Sequence, residues 1–234
     1  MCGRYTLIAN AEAIRALFEL PAFDERLGVP RYNIAPTQPI VAVRRESAGV
    51  RRASLLQWGL VPSFAEDPAV GNRMINARAE TVARKPAFRE PFQKRRCLVP
   101  ADGFYEWRRV GRARDPYLLK MRDGRPFAFA GVWDRWTAAG PPMESCAILT
   151  TAANAVVSRI HDRMPVILDP AAYDLWLDPS AREDDLHRVL RPFPAERMSA
   201  VPVSPRVNSV AVDDPECETP VAEPPEAPVQ TTLF

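Results

Sequence analysis

Short apolar runs, separated by prolines and polar residues, dominate the hydrophobic pattern of this chain. Their lengths and their content of aromatic and branched aliphatic side chains are typical of β-strands rather than of helices. We therefore predict strands at VAVRR (41–45), ASLLQW (53–58), RCLVP (96–100), FYEW (104–107), YLLKM (117–121), FAFAGVW (127–133), CAILT (146–150) and MPVIL (164–168).

Helical periodicity appears in fewer places. In NAEAIRALFEL, the side chains of Ile14, Leu17 and Phe18 fall on one helical face, and Asn10 is placed to cap the first turn. The segment DPAAYDLWL predicts a second helix, with Asp169 as its cap and a proline at its first position. A third helix is predicted in REDDLHRVL, and a shorter one after the Thr150–Thr151 pair.

The order of these elements predicts the fold class. Strands outnumber helices and do not alternate with them regularly, which favours an α+β fold built mainly from antiparallel sheet. Glycine-rich phosphate-binding patterns are absent from the sequence. At 234 residues the chain is long enough for one domain with a sizeable core.

The composition changes near residue 211. The final stretch, VDDPECETPVAEPPEAPVQTTLF, contains acids and many prolines but no Lys or Arg. Such a composition buries too little apolar surface to offset its ordering entropy. We therefore predict one folded domain over residues 1–210 and a disordered acidic tail over 211–234, which either competes with a polyanion for a basic surface or simply adds solubility.

The net charge of +2 conceals an asymmetry along the chain. Residues 1–120 contain 21 Lys and Arg against 12 Asp and Glu, whereas the remainder contains 10 against 17. A basic first half suggests a polyanionic partner such as nucleic acid, although a solvated surface gives the same count.

Cysteine and histidine usage argues against a metal centre. The four cysteines have no CxxC spacing and are accompanied by only two histidines, so neither a zinc site nor a disulfide framework is expected. Cys97 and Cys146 lie in apolar runs and are expected in the core. No secretory leader or membrane-spanning run is recognisable, so we expect a cytoplasmic protein with no membrane partner.

Cys2 is the unusual position. If Met1 is removed, this residue carries an α-amine and a thiol together, and an α-amine is partly neutral at physiological pH. The amine could condense with an aldehyde, after which the thiol could close a five-membered thiazolidine. The alternative is a disordered terminus with a stray thiol.

Three other polar positions could contribute to chemistry. They are Asn76 in NRMINARAET, Glu106 between two aromatic residues in DGFYEWRR, and His161 in SRIHDRMP. Partial burial of Glu106 would raise its pKa towards the range of a general acid. Each has a structural alternative: a helix cap for Asn76, an ion pair with Arg108 for Glu106, and a core position for His161.

Eight ordered motifs give the sequence a family resemblance: MCGRY, RYNIAPTQ, QWGLVPS, INARAET, RCLVPADGFYEW, ILTTAAN, IHDRMPVIL and VSPRVN. In this order they resemble the SOS response-associated peptidase (SRAP) family, whose members act on abasic sites in DNA. The resemblance runs from Cys2 to about Asn208. It implies a mixed fold in which antiparallel sheets form a barrel-like core with flanking helices and a basic groove.

The resemblance also implies a mechanism. The family removes its own initiator methionine and captures the aldehyde of an abasic site in single-stranded DNA as a thiazolidine crosslink, with a strand-cleaving lyase reaction as a further family activity. The matching catalytic positions are Cys2, Asn76, Glu106 and His161. The expected partner is abasic single-stranded DNA bound by a monomer, which would associate with the nucleoid when on DNA, without metal or cofactor.

Several positions match DNA contacts of the family. The polar ones are Arg4, Arg78, Arg163 and Thr150, and the apolar ones are Pro36, Trp58 and Phe64. The sequence departs from the family at Phe64, where a tryptophan is common. A phenylalanine keeps an aromatic face of smaller area, so we expect weaker stacking there or a larger role for Trp58 and Trp107.

Two other classes of function remain open at this point. Cys2 could act as an N-terminal nucleophile that hydrolyses peptides in trans, with its own amine as the base. Alternatively, the chain could be a non-enzymatic single-stranded nucleic-acid binding module in which Cys2 has no role.

Overall fold

The computed structural model describes residues 2–46, 49–111 and 113–223. Thirteen strands are present in these ranges. They are β1 (Tyr5–Leu7), β2 (Arg31–Ile34), β3 (Pro39–Arg45), β4 (Arg51–Trp58), β5 (Asn76–Arg78), β6 (Arg96–Ala101), β7 (Gly103–Val110), β8 (Ala113–Met121), β9 (Phe127–Trp136), β10 (Met143–Ala152), β11 (Arg163–Pro165), β12 (Ile167–Leu168) and β13 (Met198–Pro202).

Five of the strands close into a barrel. The hydrogen-bonded order runs β10, β4, β3, β6, β9, and the pairing of β9 with β10 completes the ring. All of these pairings are antiparallel except that of β10 with β4. The short strands β5 and β11 pair with the C-terminal part of β10, and the short strand β12 pairs with β9.

A second, five-stranded antiparallel sheet lies against the barrel, in the order β13, β8, β7, β1, β2. Aromatic packing joins the two sheets, because the ring of Tyr5 on β1 meets Trp58 and Phe129 edge-on, with centroids 5.4 and 5.7 Å apart. The fold class predicted from the sequence, α+β with mainly antiparallel sheet around a barrel-like core, is confirmed.

The helices are short and lie outside the sheets. They are α1 (Ala11–Leu17), α2 (Pro86–Lys94), α3 (Tyr173–Leu177) and α4 (Glu183–Val189). The side chain of Asn10 accepts the amide of Ala13 and caps α1, as predicted. Asp169 caps one turn of 3₁₀-helix that leads into α3, and its side chain accepts the amide of Ala171. Pro170 suits the first position of this turn because it has no amide that would need a partner.

The predicted strands and helices are all present, and the unpredicted elements have weak sequence signals. The strands β1, β2, β5 and β13 are short and mixed in polarity, so they show no clear alternation. Helix α2 contains Pro91, which argues against a helix in sequence terms but is tolerated within this nine-residue segment. The short helix expected after Thr151 is a single 3₁₀ turn at Val157–Arg159.

The predicted boundary at residue 210 differs from the structure. Residues 211–223 continue along the five-stranded sheet, with a 3₁₀ turn at Pro215–Glu218 and a bridge between Val203 and Pro220. The side chain of Cys217 is fully buried there. Backbone capping and this small apolar cluster supply order that the acidic composition did not indicate, while residues 224–234 lie outside the described residues.

No helix in the described part of the chain is long and apolar enough to cross a membrane.

Candidate active site

The strand order brings the N-terminus to an interior strand of the five-stranded sheet. Strand β1 lies between β2 and β7, with Tyr5 opposite Phe104, and the amide of Tyr105 donates to the carbonyl of Arg4 over 2.9 Å. Cys2, just before β1, is therefore held beside the strand that carries Glu106. The side chain of Cys2 is fully buried.

Asn76 fixes the backbone of Cys2 from the barrel side. Strand β5 places it opposite Ile148 of β10, and its Nδ2 donates to the Cys2 carbonyl over 2.7 Å. The Oδ1 atom of Asn76 is buried and accepts no hydrogen bond from the residues that the structure describes. The side-chain amide of Asn76 thus donates one hydrogen bond to Cys2, while its Oδ1 can accept an N–H group placed next to residue 2.

Burial shifts the pKa of both Glu106 and Cys2. Glu106 is only 3% exposed, and this burial raises the pKa of its carboxyl to about 7. Burial also raises the pKa of the Cys2 thiol far above its usual value, and the charge of Glu106 raises it further. At neutral pH the thiol is thus protonated, and the carboxyl stands near the midpoint of its titration.

His161 has a defined tautomer. Its Nδ1 accepts the backbone amide of Arg163 over 2.9 Å, which leaves the proton of the neutral ring on Nε2. Nδ1 also lies 2.9 Å from Asp162 Oδ1, a contact that becomes favourable only when the ring is charged. Burial lowers the pKa of His161, so we assign the neutral form and the amide hydrogen bond.

A cleft of about 570 Å³ opens beside Glu106 and His161. Its basic lining residues are Arg108, Arg109, Arg114 and Arg159. A neighbouring cleft of about 720 Å³ shares Arg108 and Arg159 and continues to Arg122. In the described part of the chain, only Arg108 of these five is in an ion pair, so the joined clefts present a positive surface to a polyanion.

The predicted polar DNA contacts are in different environments. Arg78 on β5 is exposed. Arg4 is almost buried, and its Nη1 donates to the Asn33 side chain and to the Val207 carbonyl, both over 2.7 Å. Arg4 therefore supports the sheet around Cys2, and its role with phosphate stays a prediction.

Thr150 and Arg163 meet on adjacent strands. Thr150 is fully buried on β10, and its carbonyl accepts Arg163 Nη2 over 2.7 Å. Glu80 binds the same guanidinium in a two-point ion pair, with distances of 2.6 and 2.9 Å. Glu80 belongs to the same polar run of the sequence, NRMINARAET, as Asn76 and Arg78.

The residues predicted to contact DNA through apolar surfaces differ in how exposed they are. Trp58 is fully buried, and its Nε1 donates to the Ile75 carbonyl over 2.9 Å, so it packs in the core here and its contact with DNA stays a prediction. Phe64 is 67% exposed and Pro36 half-buried in the turn before β3, so both are accessible. Trp107 lines the arginine cleft and donates to Asn208 Oδ1 over 2.7 Å.

The remaining cysteines behave as core residues. Cys97, Cys146 and Cys217 are buried and unpaired by disulfides. In residues 2–46, 49–111 and 113–223, no three His, Cys, Asp or Glu side chains are grouped closely enough to bind a metal ion.

Comparison with known sequences gives one consistent family. The profile of the family described as SOS response associated peptidase (SRAP) matches residues 1–210. The Bacillus subtilis protein named abasic site processing protein YoqW is 41% identical over 220 residues, which cover 92% of this chain and 98% of that protein.

More distant relatives carry the same kind of name. Abasic site processing protein HMCES of Gallus gallus is 33% identical over 267 residues, which cover 94% of this chain and 78% of that protein. Abasic site processing protein YedK of Escherichia coli is 30% identical over 229 residues, covering 94% of this chain and all of that protein.

Solved structures share the architecture. A crystal structure of a protein from Bacteroides thetaiotaomicron matches with a TM-score of 0.85 at 27% identity, covering 94% of this chain and 100% of that one. A second crystal structure, from Bordetella bronchiseptica, matches with a TM-score of 0.74 at 28% identity, covering 87% of this chain and 100% of that one.

Proposed function

Because the chain belongs to the SOS response associated peptidase family, we propose that it binds single-stranded DNA and traps abasic sites as covalent crosslinks through Cys2. The names of its relatives support action on abasic sites. The observation that carries the proposal for this chain is the hydrogen bond from Asn76 to the Cys2 carbonyl, beside a buried Glu106. A disordered terminus would need neither contact.

Removal of Met1 is the first step of the proposal, and the chain performs it on itself by hydrolysing the peptide bond between Met1 and Cys2. The products are free methionine and a Cys2 that carries an α-amine. The vacant Oδ1 of Asn76 can then accept one N–H of that amine, which orients the nitrogen lone pair towards an incoming carbonyl carbon.

Capture of the aldehyde proceeds through two covalent steps. The amine adds to the aldehyde carbon of the ring-opened sugar, and the resulting carbinolamine loses water to give an imine. The thiol of Cys2 then adds to the imine carbon and transfers its proton to the nitrogen, closing the thiazolidine. The balance is protein plus DNA minus one water.

Glu106 and His161 share the proton transfers. With a pKa near 7, Glu106 can donate a proton to the departing hydroxyl and accept one from the thiol, which burial keeps protonated. Neutral His161, with its proton on Nε2, can assist ring opening of the sugar. The imine stage is also chemically competent for strand cleavage by β-elimination.

DNA is held by arginine in this proposal. Exposed Arg78 and the cleft residues Arg109, Arg114 and Arg159 supply positive charge near Glu106 and His161. Arginine binds phosphate through two parallel hydrogen bonds, and binding weakens as salt rises. Phe64 supplies an exposed aromatic face for a base.

Mass spectrometry of the protein mixed with an oligonucleotide bearing one abasic site tests the proposal. We expect the mass of a one-to-one adduct less one water, and loss of this adduct in Cys2→Ala under conditions that hydrolyse imines, because without the thiol the imine cannot close to the thiazolidine. An undamaged oligonucleotide is the control for non-covalent carry-over.

A second preparation, in which two residues are inserted between Met1 and Cys2, tests the need for the free amine. An equal yield of adduct from that protein would show that the N-terminal amine takes no part. Cleavage of unrelated peptides that is lost in Cys2→Ala would instead favour a peptidase acting in trans.

A further inference from the structure

Glu80 forms an ion pair with Arg163, an arginine that the proposed DNA site needs for phosphate. Both terminal nitrogens of Arg163 bind the two carboxylate oxygens of Glu80, at 2.6 and 2.9 Å. This two-point geometry is the same one that arginine uses for phosphate. While the ion pair is intact, the Nη1–Nη2 edge of Arg163 is therefore not free for a phosphate.

The rest of the Arg163 side chain is fixed by the barrel. Its Nη2 also donates to the Thr150 carbonyl, and the side chain is only 16% exposed. The same carbonyl accepts the amide of Ala79, so the segment that carries Glu80 is tied to β10 as well. Arg163 is thus held in place on its protein side, and Glu80 covers its open side.

Glu80 itself is the less constrained partner. Its side chain is 50% exposed, and it follows the last residue of β5 in a turn. In the described residues its carboxylate forms an ion pair with Arg163 alone. The hydrogen bond from Arg163 is the main cause that lowers the pKa of Glu80, and the charge of Arg78 adds to it, so the carboxylate interacts with two predicted phosphate contacts.

We propose that Glu80 is a built-in substitute for phosphate, which a DNA phosphate displaces when it binds Arg163. This inference rests on the proposed binding of DNA in the site and adds a residue that sets the affinity of that site. In free protein the carboxylate neutralises Arg163 and keeps its guanidinium in a binding geometry. Every strand that binds must first replace Glu80, which lowers the non-covalent affinity of damaged and undamaged DNA alike.

The substitution Glu80→Gln tests this, because an amide retains the shape but loses the charge. Binding is measured by fluorescence anisotropy over a range of salt, with an undamaged single strand and with one carrying a tetrahydrofuran abasic analogue, which has no aldehyde. We expect affinity for undamaged DNA to rise roughly five-fold at low salt. The slope of log affinity against log salt should steepen by about 0.7, the value for one more phosphate contact on a single strand.

Glu90→Gln is the matched control. Glu90 on α2 is 52% exposed and pairs with Lys94 and Arg95, so its substitution removes the same charge from surface ion pairs away from β5 and β11. Equal changes in the two variants would reduce the effect to net charge and overturn the inference. An unchanged slope in Glu80→Gln would overturn it directly.

Two further variants keep the test decisive. If Glu80→Gln unfolds more easily, Glu80→Asp retains the charge and should keep the wild-type salt slope. In an Arg163→Gln background, Glu80→Gln should lose most of its effect, whereas a full effect there would mean that Glu80 acts on other arginines. The proposed function is tested separately, by whether the wild-type protein binds these strands and crosslinks true abasic DNA. It can therefore hold even if the inference about Glu80 fails.

Discussion

The carboxyl of Glu106 is buried, and because its pKa lies near 7, its charge changes with pH in the neutral range. In the unfolded chain Glu106 titrates at its usual value, 4.5, whereas in the folded chain burial raises the pKa to about 7. Between these values the folded state binds more protons than the unfolded state, so folding stability falls as pH rises. Its contribution is complete below pH 4.5 and lost above about pH 7.

Glu106→Gln should therefore be more stable than the wild type at alkaline pH. The expected gain at pH 8 is about 3 kcal/mol, and it should vanish at pH 4, where the wild-type carboxyl is protonated in both states. Urea unfolding at the two pH values measures it. Glu66→Gln, in an exposed loop, is the control, and a gain of equal size at pH 4 and pH 8 would contradict the assignment.

The sequence was informative about individual site residues where their chemistry is rare. Cys2 and Glu106 were candidates by residue type, with structural alternatives left open until the family resemblance favoured them, and the structure brings Cys2, Asn76 and Glu106 together. Burial was harder to predict. Trp58 and Phe64 were both predicted to contact DNA, whereas the structure places the Trp58 ring in the core and exposes the Phe64 ring.

At the scale of elements, a close approach of two loops delivers Asn76 to the site. Gly59 ends the turn after β4 with a φ of +132°, and a methyl group there would lie 2.6 Å from the carbonyl oxygen of Gly71. The Nε1 atom of Trp58 donates to the carbonyl of Ile75, which lies four residues after Gly71 in the segment before β5. Since Ile75 precedes Asn76, the packing of the two glycines sets where β5 begins.

Gly59→Ala should destabilise the fold by about 2–4 kcal/mol, because it adds a clash with backbone to an unfavourable φ. Gly140→Ala is the matched control, with a φ of +73° and open space around the new methyl group. It should cost only about 1–2 kcal/mol. Urea denaturation compares them, and equal losses would mean that the approach of the two loops is not tight.

Sequence periodicity predicted the long elements well and the short ones poorly. Strands of seven or more residues, such as β3 and β9, present enough apolar positions to be recognised. Strand β5 has three residues and pairs in parallel with β10, so its formation depends on a long-range contact that local pattern does not contain.

At the scale of the whole molecule, the C-terminal segment completes the sheet that contains the active site. Asp213 accepts the amides of Tyr32 and Asn33, and Asn33 Nδ2 donates to the Val212 carbonyl while its Oδ1 accepts Arg4. A chain of hydrogen bonds thus runs from residues 211–223 to Arg4, two positions from Cys2.

A protein ending at Val210 should consequently be less stable by about 3–5 kcal/mol, since it loses these hydrogen bonds and the burial of Cys217. Thermal melting of this form is compared with a form ending at Glu223, which keeps every contact described here. If both forms melt at the same temperature, residues 211–223 do not stabilise the domain.

The attachment of residues 211–223 to β2 also has a consequence for biosynthesis. The strands β1 and β2 precede in synthesis the residues that cap them, since Asp213 lies 180 positions after Asn33. Contacts of such large sequence separation form slowly, because the intervening chain must be ordered first. During synthesis, β1 and β2 therefore stay without these partners until residues 211–223 have been made.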